Sequence, residues 1–346
     1  MPHWAQTTRF PGVIGTFMGR DALSLAASYL ELTANDAVVL PVYTCRDILQ
    51  LFLGKNRVVF YDVRPDLTID PDEVKAKLIA GNVKMVLITN YFGFLQPYRK
   101  EIKKICQERG AYLIEDCAHS LLTEGSAETG DLSFCSFRKI LPLPDGGGLK
   151  VNIEGKPATP DFYPRVYSNV LSLLVIAKSF LNIRAEKLSR ARIAPRIQQD
   201  WSNGGSPRRA GRVLPLSFFA ARGMANMSFP EITQKRRDDF QYWQEVCRRS
   251  HSMEPLFGDL PPGVCPFGFP VRVRDRHSLE SRARNKGIYL KVHWRLDPTV
   301  GRECATSHGL TKVLLTLPLY PELKERHRDV ITRLVTRAPE KSLING

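Results

Sequence analysis

Two stretches combine residue types that can grip and work on a reactive ring. The first, Leu113-Ile-Glu-Asp-Cys-Ala-His-Ser120, is an apolar run ending in a carboxylate, Asp116, with His119 just beyond. The second runs from Gly130 through an apolar segment, Leu132 to Phe137, to Lys139, then to Asp145-Gly-Gly-Gly148 and a return strand, 149–152. A carboxylate can keep a ring nitrogen protonated and make the ring an electron sink. A lysine in low-dielectric surroundings can offer a neutral amine to a carbonyl. A phosphate on such a ring would need amides at a helix N-terminus, and Gly19, Arg20 and Asp21, with Ser136, can supply that end. By type and spacing alone the ordinary readings stand ahead: a surface lysine after a strand, a helix-capping aspartate, a glycine before a core helix.

The elements that would position these residues are legible. Apolar strands are expected at 37–41, 58–62, 84–89, 111–115, 132–137 and 149–152. Helices are expected at 22–30, with Asp21 near its N-cap, at 47–53, from Asp70, and at 98–108. The strands are apolar throughout rather than alternating, and they alternate with helices at βαβ spacing. This predicts an α/β fold with a mostly parallel sheet covered on both faces. Ligands of such sheets collect at the carboxyl ends of the strands. Tyr43-Thr44, Asn90-Tyr91 and Asp116 with His119 all fall at strand ends.

The second half has another rhythm. An apolar helix is expected at 167–182, then a basic excursion over about 184–212 rich in arginine, with Gly204-Gly-Ser-Pro207 inside it. Residues 218–249 read as helical with a break near Ser228-Phe-Pro230. Strands are expected at 267–273 and 287–290, helices at 278–286 and 322–335, and an apolar stretch at 314–319. We read residues 1–235 as a large α/β domain and 236–346 as a smaller α+β domain.

Composition bounds the function. The chain has 346 residues and a net charge of +15. Residues 1–150 are neutral, with 17 basic and 17 acidic residues; 151–250 have 17 against 8, and 251–346 have 16 against 10. A basic face can serve nucleic acid, acidic lipid or an anionic small substrate, or be simply solvated. No nucleic-acid recognition fold or interleaved aromatic pattern accompanies it, so no nucleic-acid partner is expected. No apolar run reaches transmembrane length; Val170 to Ala177 meets Lys178 too soon. No secretory signal is read at the N-terminus. The seven cysteines show no metal-ligand spacing, so no metal is expected and the reducing cytoplasm is the expected location.

Taken together, these segments resemble the DegT/DnrJ/StrS sugar aminotransferases, pyridoxal-phosphate enzymes of fold type I. Gly19-Arg-Asp-Ala-Leu23 is similar to that family's phosphate-loop entry, and Leu40-Pro-Val-Tyr-Thr44 to the strand end before its ring-stacking position. Asn90-Tyr-Phe-Gly93 is similar to a pocket-lining segment, and Ile114 to Ser120 to the strand with the pyridine-binding aspartate. Gly130 to Lys139 with Asp145-Gly-Gly147 resembles the lysine loop. Gln234-Lys-Arg-Arg237, Gly287-Ile288 with Trp294, and Leu315 to Tyr320 resemble the C-terminal half.

The resemblance implies a seven-stranded-type sheet and pyridoxal 5'-phosphate as cofactor. It makes Lys139 the Schiff-base lysine and proton carrier, and puts Asp116 on the pyridinium nitrogen and His119 near the phenolic oxygen. Ser136, Gly19 and Arg20 would hold the phosphate. Tyr43 would stand in at the ring face, with Tyr91 and Trp294 towards the substrate. It implies amino transfer from glutamate or a similar donor to a keto group of a nucleotide-activated sugar, for surface polysaccharide or secondary metabolites, by a homodimer. Three departures are visible. One residue, Arg138, separates the Ser-Phe pair from the lysine where the family has three; Cys45 stands where the family has its ring-covering aromatic; and Arg20 replaces a small hydroxyl residue. They motivate an alternative, a non-catalytic or divergent relative that binds a ligand or partner.

Overall fold

The computed structural model describes residues 10–79, 81–153, 161–188, 212–250 and 252–336. Seven strands form one sheet: β1 (Val13–Thr16), β2 (Ala37–Pro41), β3 (Arg57–Tyr61), β4 (Val83–Thr89), β5 (Tyr112–Asp116), β6 (Leu132–Cys135) and β7 (Gly147–Val151). Their order is β1-β7-β6-β5-β4-β2-β3. The pairings from β3 through β6 are parallel, and β7 runs antiparallel to both of its neighbours. Helices α1 (Gly19–Tyr29), α2 (Arg46–Phe52), α3 (Pro71–Ile79) and α4 (Arg99–Glu108) connect the strands.

The uniformly apolar strands are explained by two cores. In β2, Ala37 and Val39 pack into one face with Val86, Ile88 and Ile102, while Val38 and Leu40 pack into the other with Leu23, Ala26 and Leu87. Side chains alternate across a strand, so a sheet buried on both faces must be apolar at every position. Because the strands are parallel, their carboxyl ends, and the residues that follow, share one edge.

Strand β1 has no clear signal in the sequence. It is four residues long, pairs with β7 and on its other side makes one antiparallel bridge, Thr16 to Pro215. The glycines of β7 make this pairing possible. A Cβ on Gly147 would lie 2.3 Å from the Met18 carbonyl carbon and 2.5 Å from the Gly19 nitrogen. Helix α1 starts earlier than expected: Met18 is its N-cap, and Asp21 lies within the first turn, its carboxylate accepting the Met18 N–H at 3.0 Å. That shift makes Gly19 and Arg20 the first helical residues.

Helix α5 (Arg165–Leu188) is longer than expected, and it lies between β8 (Asp161–Phe162) and β9 (Arg212–Val213), which pair with one another. The expected basic excursion therefore falls partly on the end of α5; residues 189–211 lie outside the described residues. The predicted break is found: α6 (Phe218–Ala225) is followed by α7 (Phe229–Arg248), whose N-cap Ser228 accepts from the Glu231 N–H. A second sheet has the order β10-β11-β12, formed by β10 (Met253–Pro255), β11 (Phe269–Val273) and β12 (Leu314–Leu317). Around it pack α7, α8 (Arg276–Asn285) and α10 (Glu325–Thr336), sharing a core of Trp243, Phe269, Leu279 and Ile331. Helix α9 (Ala305–Val313) leads into β12.

One expected strand is corrected. Residues 287–290 form no strand: Gly287, at φ 75°, closes α8, and Ile288 folds back, its N–H donating to Ala283 O at 2.9 Å. The chain forms a single backbone bridge to the small sheet, at Lys291, whose carbonyl accepts from Thr316 N–H. The apolar pattern there reflects burial of Ile288 rather than a ladder.

Gly147→Ala should lower unfolding stability by about 2–3 kcal/mol, because its Cβ meets backbone that cannot give way. Gly258→Ala, with open space around the added Cβ, should change it by under about 0.5 kcal/mol. Urea unfolding of the two variants measures the difference.

Candidate active site

The parallel register delivers the site. Asp116 ends β5 opposite Phe134 of β6, and the Asn90 N–H donates to Asp116 O at 3.1 Å. After β6 the chain makes one tight 3-10 turn, Phe137–Lys139, whose last amide donates to Ser136 O at 3.2 Å. The short spacing before Lys139 is thus a single turn rather than a loop. It sets the lysine amine beside the strand ends, with Lys139 Nζ 3.4 Å from His119 Nε2.

The two carboxylates at the end of β5 live differently. Glu115, fully buried, is enclosed by donors: the Thr129 and Gly130 N–H groups, the Asn90 amide and the Ser133 hydroxyl. Asp116, 4 % exposed, accepts only the Ala118 N–H, at 2.9 Å, among the hydrogen bonds seen. Burial pushes its carboxyl above the usual range, and the Lys139 charge pulls it back. A buried carboxylate with one amide partner has room for a charged N–H donor, and a protonated ring nitrogen is such a donor.

His119 is held neutral: burial comes first, then the positive charge of Lys139, then His293. Its Nδ1 is buried with no hydrogen-bond partner. If Nε2 accepts from the Lys139 ammonium, Nδ1 carries the hydrogen, and that N–H is an unspent donor in an apolar wall. The imidazole stacks on Phe267, with centroids 3.8 Å apart and planes at 7°, and lies nearly parallel to the Trp294 ring at 5.4 Å.

At the other end, Gly19 packs against the strand-to-turn junction. A Cβ there would be 3.0 Å from Cys135 O and 3.1 Å from Ser136 Cβ. The first turn of α1 therefore meets Ser136 at van der Waals distance, which sets a helix N-terminus beside a hydroxyl residue, as an anion site requires. Arg20 reaches Asp47 of α2 at 3.6 Å. Arg138 of the lysine turn is exposed and lies within the electrostatic reach of Arg20, Asp47 and Asp145. Two guanidiniums close enough to oppose one another are a second reason for an anion there.

Not every expected residue offers a free group. The Tyr43 hydroxyl donates to the His293 carbonyl. The Tyr91 hydroxyl donates to Tyr43 O at 2.7 Å. Both rings are fully buried and pack with Trp294 at 5.5 and 6.1 Å. These three form a linked aromatic wall behind the site. Cys45 lies within the electrostatic reach of both Lys139 and Asp116, its thiol pushed up chiefly by burial.

Phe267 and His293 were not singled out in the sequence. Phe92, at φ 54°, and Gly93, at φ 100°, turn the chain after β4, and a Cβ on Gly93 would be 2.3 Å from Cys265 O. This close approach, with Phe267 N–H donating to Phe92 O at 2.8 Å, lays Phe267 on His119. Arg236 of α7, buried, donates to the carbonyls of Pro266, Phe267 and Tyr320 and fixes the same segment. The signal available was Arg236 in a motif noted for resemblance; its partners are backbone atoms, invisible to spacing.

With this geometry in hand, similarities to known proteins are informative. Residues 5–152 match the DegT/DnrJ/EryC1/StrS aminotransferase family. That segment includes Gly19, Asp116, Ser136 and Lys139, so the resemblance read from the motifs is borne out. Over 144 residues the chain is 30% identical to GDP-perosamine synthase of Vibrio cholerae, which is 39% of this chain and 39% of that protein. The chain thus matches about two-fifths of the length of its curated relatives. The fold agrees with solved aminotransferase structures over nearly the whole chain. The aminotransferase TlmJ from Streptoalloteichus hindustanus superimposes with a TM-score of 0.69 at 21% identity, covering 96% of this chain and 87% of that one. NtdA from Bacillus subtilis, with bound cofactor PMP, gives 0.63 at 18% identity, covering 93% and 72%. The expected α/β fold of the pyridoxal-phosphate transferases, with its small C-terminal α+β portion, is the observed one.

Burial holds His119 and His293 well below the ordinary histidine range. In the unfolded chain both take protons below about pH 6.5, so there the unfolded state binds more protons. Stability should be flat above that pH and fall below it, with a limiting slope of roughly 2.7 kcal/mol per pH unit for two such groups. Asp116, raised in the folded state, acts oppositely at the acid end. Urea unfolding between about pH 7 and 5.5 should show the loss, and His119→Gln should remove roughly half of it.

Proposed function

We propose, from the match of residues 5–152 to the DegT/DnrJ/EryC1/StrS aminotransferase family, that this chain is a pyridoxal-phosphate-dependent sugar aminotransferase. The observation that carries the reading is the pairing at one sheet edge of a poorly satisfied buried carboxylate, Asp116, with a lysine turn and a buried histidine nitrogen, His119 Nδ1, that has no hydrogen-bond partner. The residues present fit the cofactor: a carboxylate for the ring nitrogen, a donor for the ring oxygen, an amine for the aldehyde, and a helix N-terminus with Ser136 for the phosphate. Bound there, the ring supplies an electron sink for the substrate carbon that carries nitrogen.

The chain's own residues then do the following. Asp116 would pair with the ring nitrogen and keep it protonated. His119, neutral, would turn Nδ1 to the ring oxygen as a donor. Lys139 Nζ would hold the cofactor through its amine and, when free of it, would carry the proton during amino transfer. His119 beside it gives the amine a hydrogen-bond partner in both states. Gly19, Arg20 and Ser136 hold the phosphate. Tyr43 backs the ring, and Tyr91 and Trp294 form the wall towards the substrate. The buried aromatic surroundings exclude water.

The acceptor we propose is a keto group on a nucleotide-activated sugar, with glutamate as donor, in surface polysaccharide or secondary-metabolite synthesis in the cytoplasm. GDP-perosamine synthase as a relative and the basic second half support it. We also propose a homodimer, and a division of the chain at about residue 235. In support of that division, Ile232 of α7 packs under the lysine turn, whereas Phe240 and Trp243 of the same helix enter the small sheet's core.

Adding pyridoxal phosphate should give the protein a visible absorbance band, and borohydride reduction should leave the pyridoxyl group on the peptide containing Lys139. Lys139→Ala should abolish both. Asp116→Asn should bind the cofactor yet cut amino transfer to a nucleotide ketosugar, followed as 2-oxoglutarate formed from glutamate, by about a hundredfold. A colourless protein at saturating cofactor sinks the reading and favours a non-catalytic relative.

A further inference from the structure

The three aromatics of the wall behind the site are not equivalent. The Tyr43 and Tyr91 rings are 0 % and 1 % exposed, and both hydroxyls are spent on backbone carbonyls. Neither has a face or a donor left for a ligand. Trp294 is only partly buried against the same core, and its indole N–H donates to nothing among the described residues. Its backbone is fastened from two directions. Thr311 of α9 donates its hydroxyl to Trp294 O, and the carbonyl of the preceding residue, His293, accepts from Tyr43. The His293 imidazole is hydrogen-bonded to the Thr316 hydroxyl of β12 at 2.8 Å. Residues 291–294 thus carry a tryptophan from the small sheet into the wall of the site, with a face and a donor unspent.

The position of the indole selects what it covers. Phe267 overlaps the His119 imidazole directly, with centroids 3.8 Å apart and planes at 7°. Trp294 lies at 5.4 Å and 17°, an offset arrangement. At a contact spacing of roughly 3.5–4 Å, that separation displaces the indole sideways by about 4 Å, past the imidazole edge. What lies beside His119 is the place of the cofactor: Lys139 Nζ is 3.4 Å from Nε2, and Nδ1 is the buried nitrogen without a partner. Cys45, within electrostatic reach of Lys139 and Asp116, offers a thiol there and no ring face.

We propose that the Trp294 indole covers one face of the cofactor ring, buttressed from behind by Tyr43 and Tyr91, which pack on it at 5.5 and 6.1 Å. The proposal rests on the aminotransferase reading, since it takes the ring to be held by Asp116, His119 and Lys139. It adds to that reading a cofactor-binding residue supplied by the C-terminal part of the chain. An indole against a planar conjugated ring contributes dispersion and keeps water from that face.

The test is cofactor binding by the full chain, read without turnover. Titration of the visible band with pyridoxal phosphate should give Trp294→Ala a dissociation constant about tenfold above that of the unchanged protein, and Trp294→Phe, which keeps a ring, one within about threefold. Tryptophan emission gives the second reading: bound cofactor should quench the unchanged protein more strongly than Trp294→Phe, although both hold it. Should Trp294→Ala not fold, the quenching comparison decides alone. Equal affinity of Trp294→Ala and the unchanged protein, or equal quenching with and without Trp294, overturns the proposal and leaves the aminotransferase reading standing. An unchanged protein that stays colourless at saturating cofactor overturns both.

Discussion

A carboxylate sealed at the end of a parallel strand is the constraint on which the site depends. Asp116 is buried with one backbone amide as partner, while Glu115 next to it is held by the 129–133 segment and the Asn90 amide. Alternation along β5 sends the two carboxylates to different surroundings: one closes a loop, and the other faces the sheet edge with capacity to spare. Burial disfavours the charge of Asp116, and Lys139 restores part of it. Burial keeps His119 neutral, and the same lysine acts in that sense too. Lys139, its Nζ 3.4 Å from the imidazole, thus bears on the charge of both Asp116 and His119, as a site that handles both charge and protons requires.

Around this trio the molecule invests in rigidity. Two close backbone approaches do most of it. Gly147 lets the start of α1 lie on β7, which brings Gly19 to Ser136; Gly93 lets the 265–267 segment lie on the turn after β4, which brings Phe267 onto His119. Arg236 spends its guanidinium on backbone carbonyls of that second segment and of Tyr320. A stacked, desolvated imidazole has little freedom to rotate, so its unpaired Nδ1 keeps a fixed direction.

The departures from the family's pattern are absorbed in the same way. The shortened lysine segment becomes one 3-10 turn, and its far end is tied down by Asp145, which gathers the hydroxyls of Ser172 and Ser217. Ser217 in turn caps α6. The residue that opens the glycine run is thereby a fastening between the lysine turn, α5 and α6. This is why α5 can present its serines, Ser168 and Ser172, inward and an apolar stripe, with Val170, Leu173 and Leu174, outward.

By itself the sequence determined the parallel sheet, the order of its elements and the identity of the chemical groups. Uninterrupted apolar strands at βαβ spacing have few other solutions, and a parallel sheet places Asp116, Ser136 and Lys139 at one edge whatever the details. Tertiary structure decided the rest. Only the pairing with a glycine strand revealed β1, a four-residue segment without a period of its own. Only the fold back onto Ala283 showed that Ile288 belongs to a core and not to a ladder. The hydroxyls of Tyr43 and Tyr91 turned out to be spent on carbonyls of His293 and Tyr43, and Phe267 to cover His119, because backbone partners and contacts across 148 positions of chain leave no trace in residue type or spacing. The inversion of α5 was likewise invisible: its apolar period reads as a core face until the buried side is seen to be its serines.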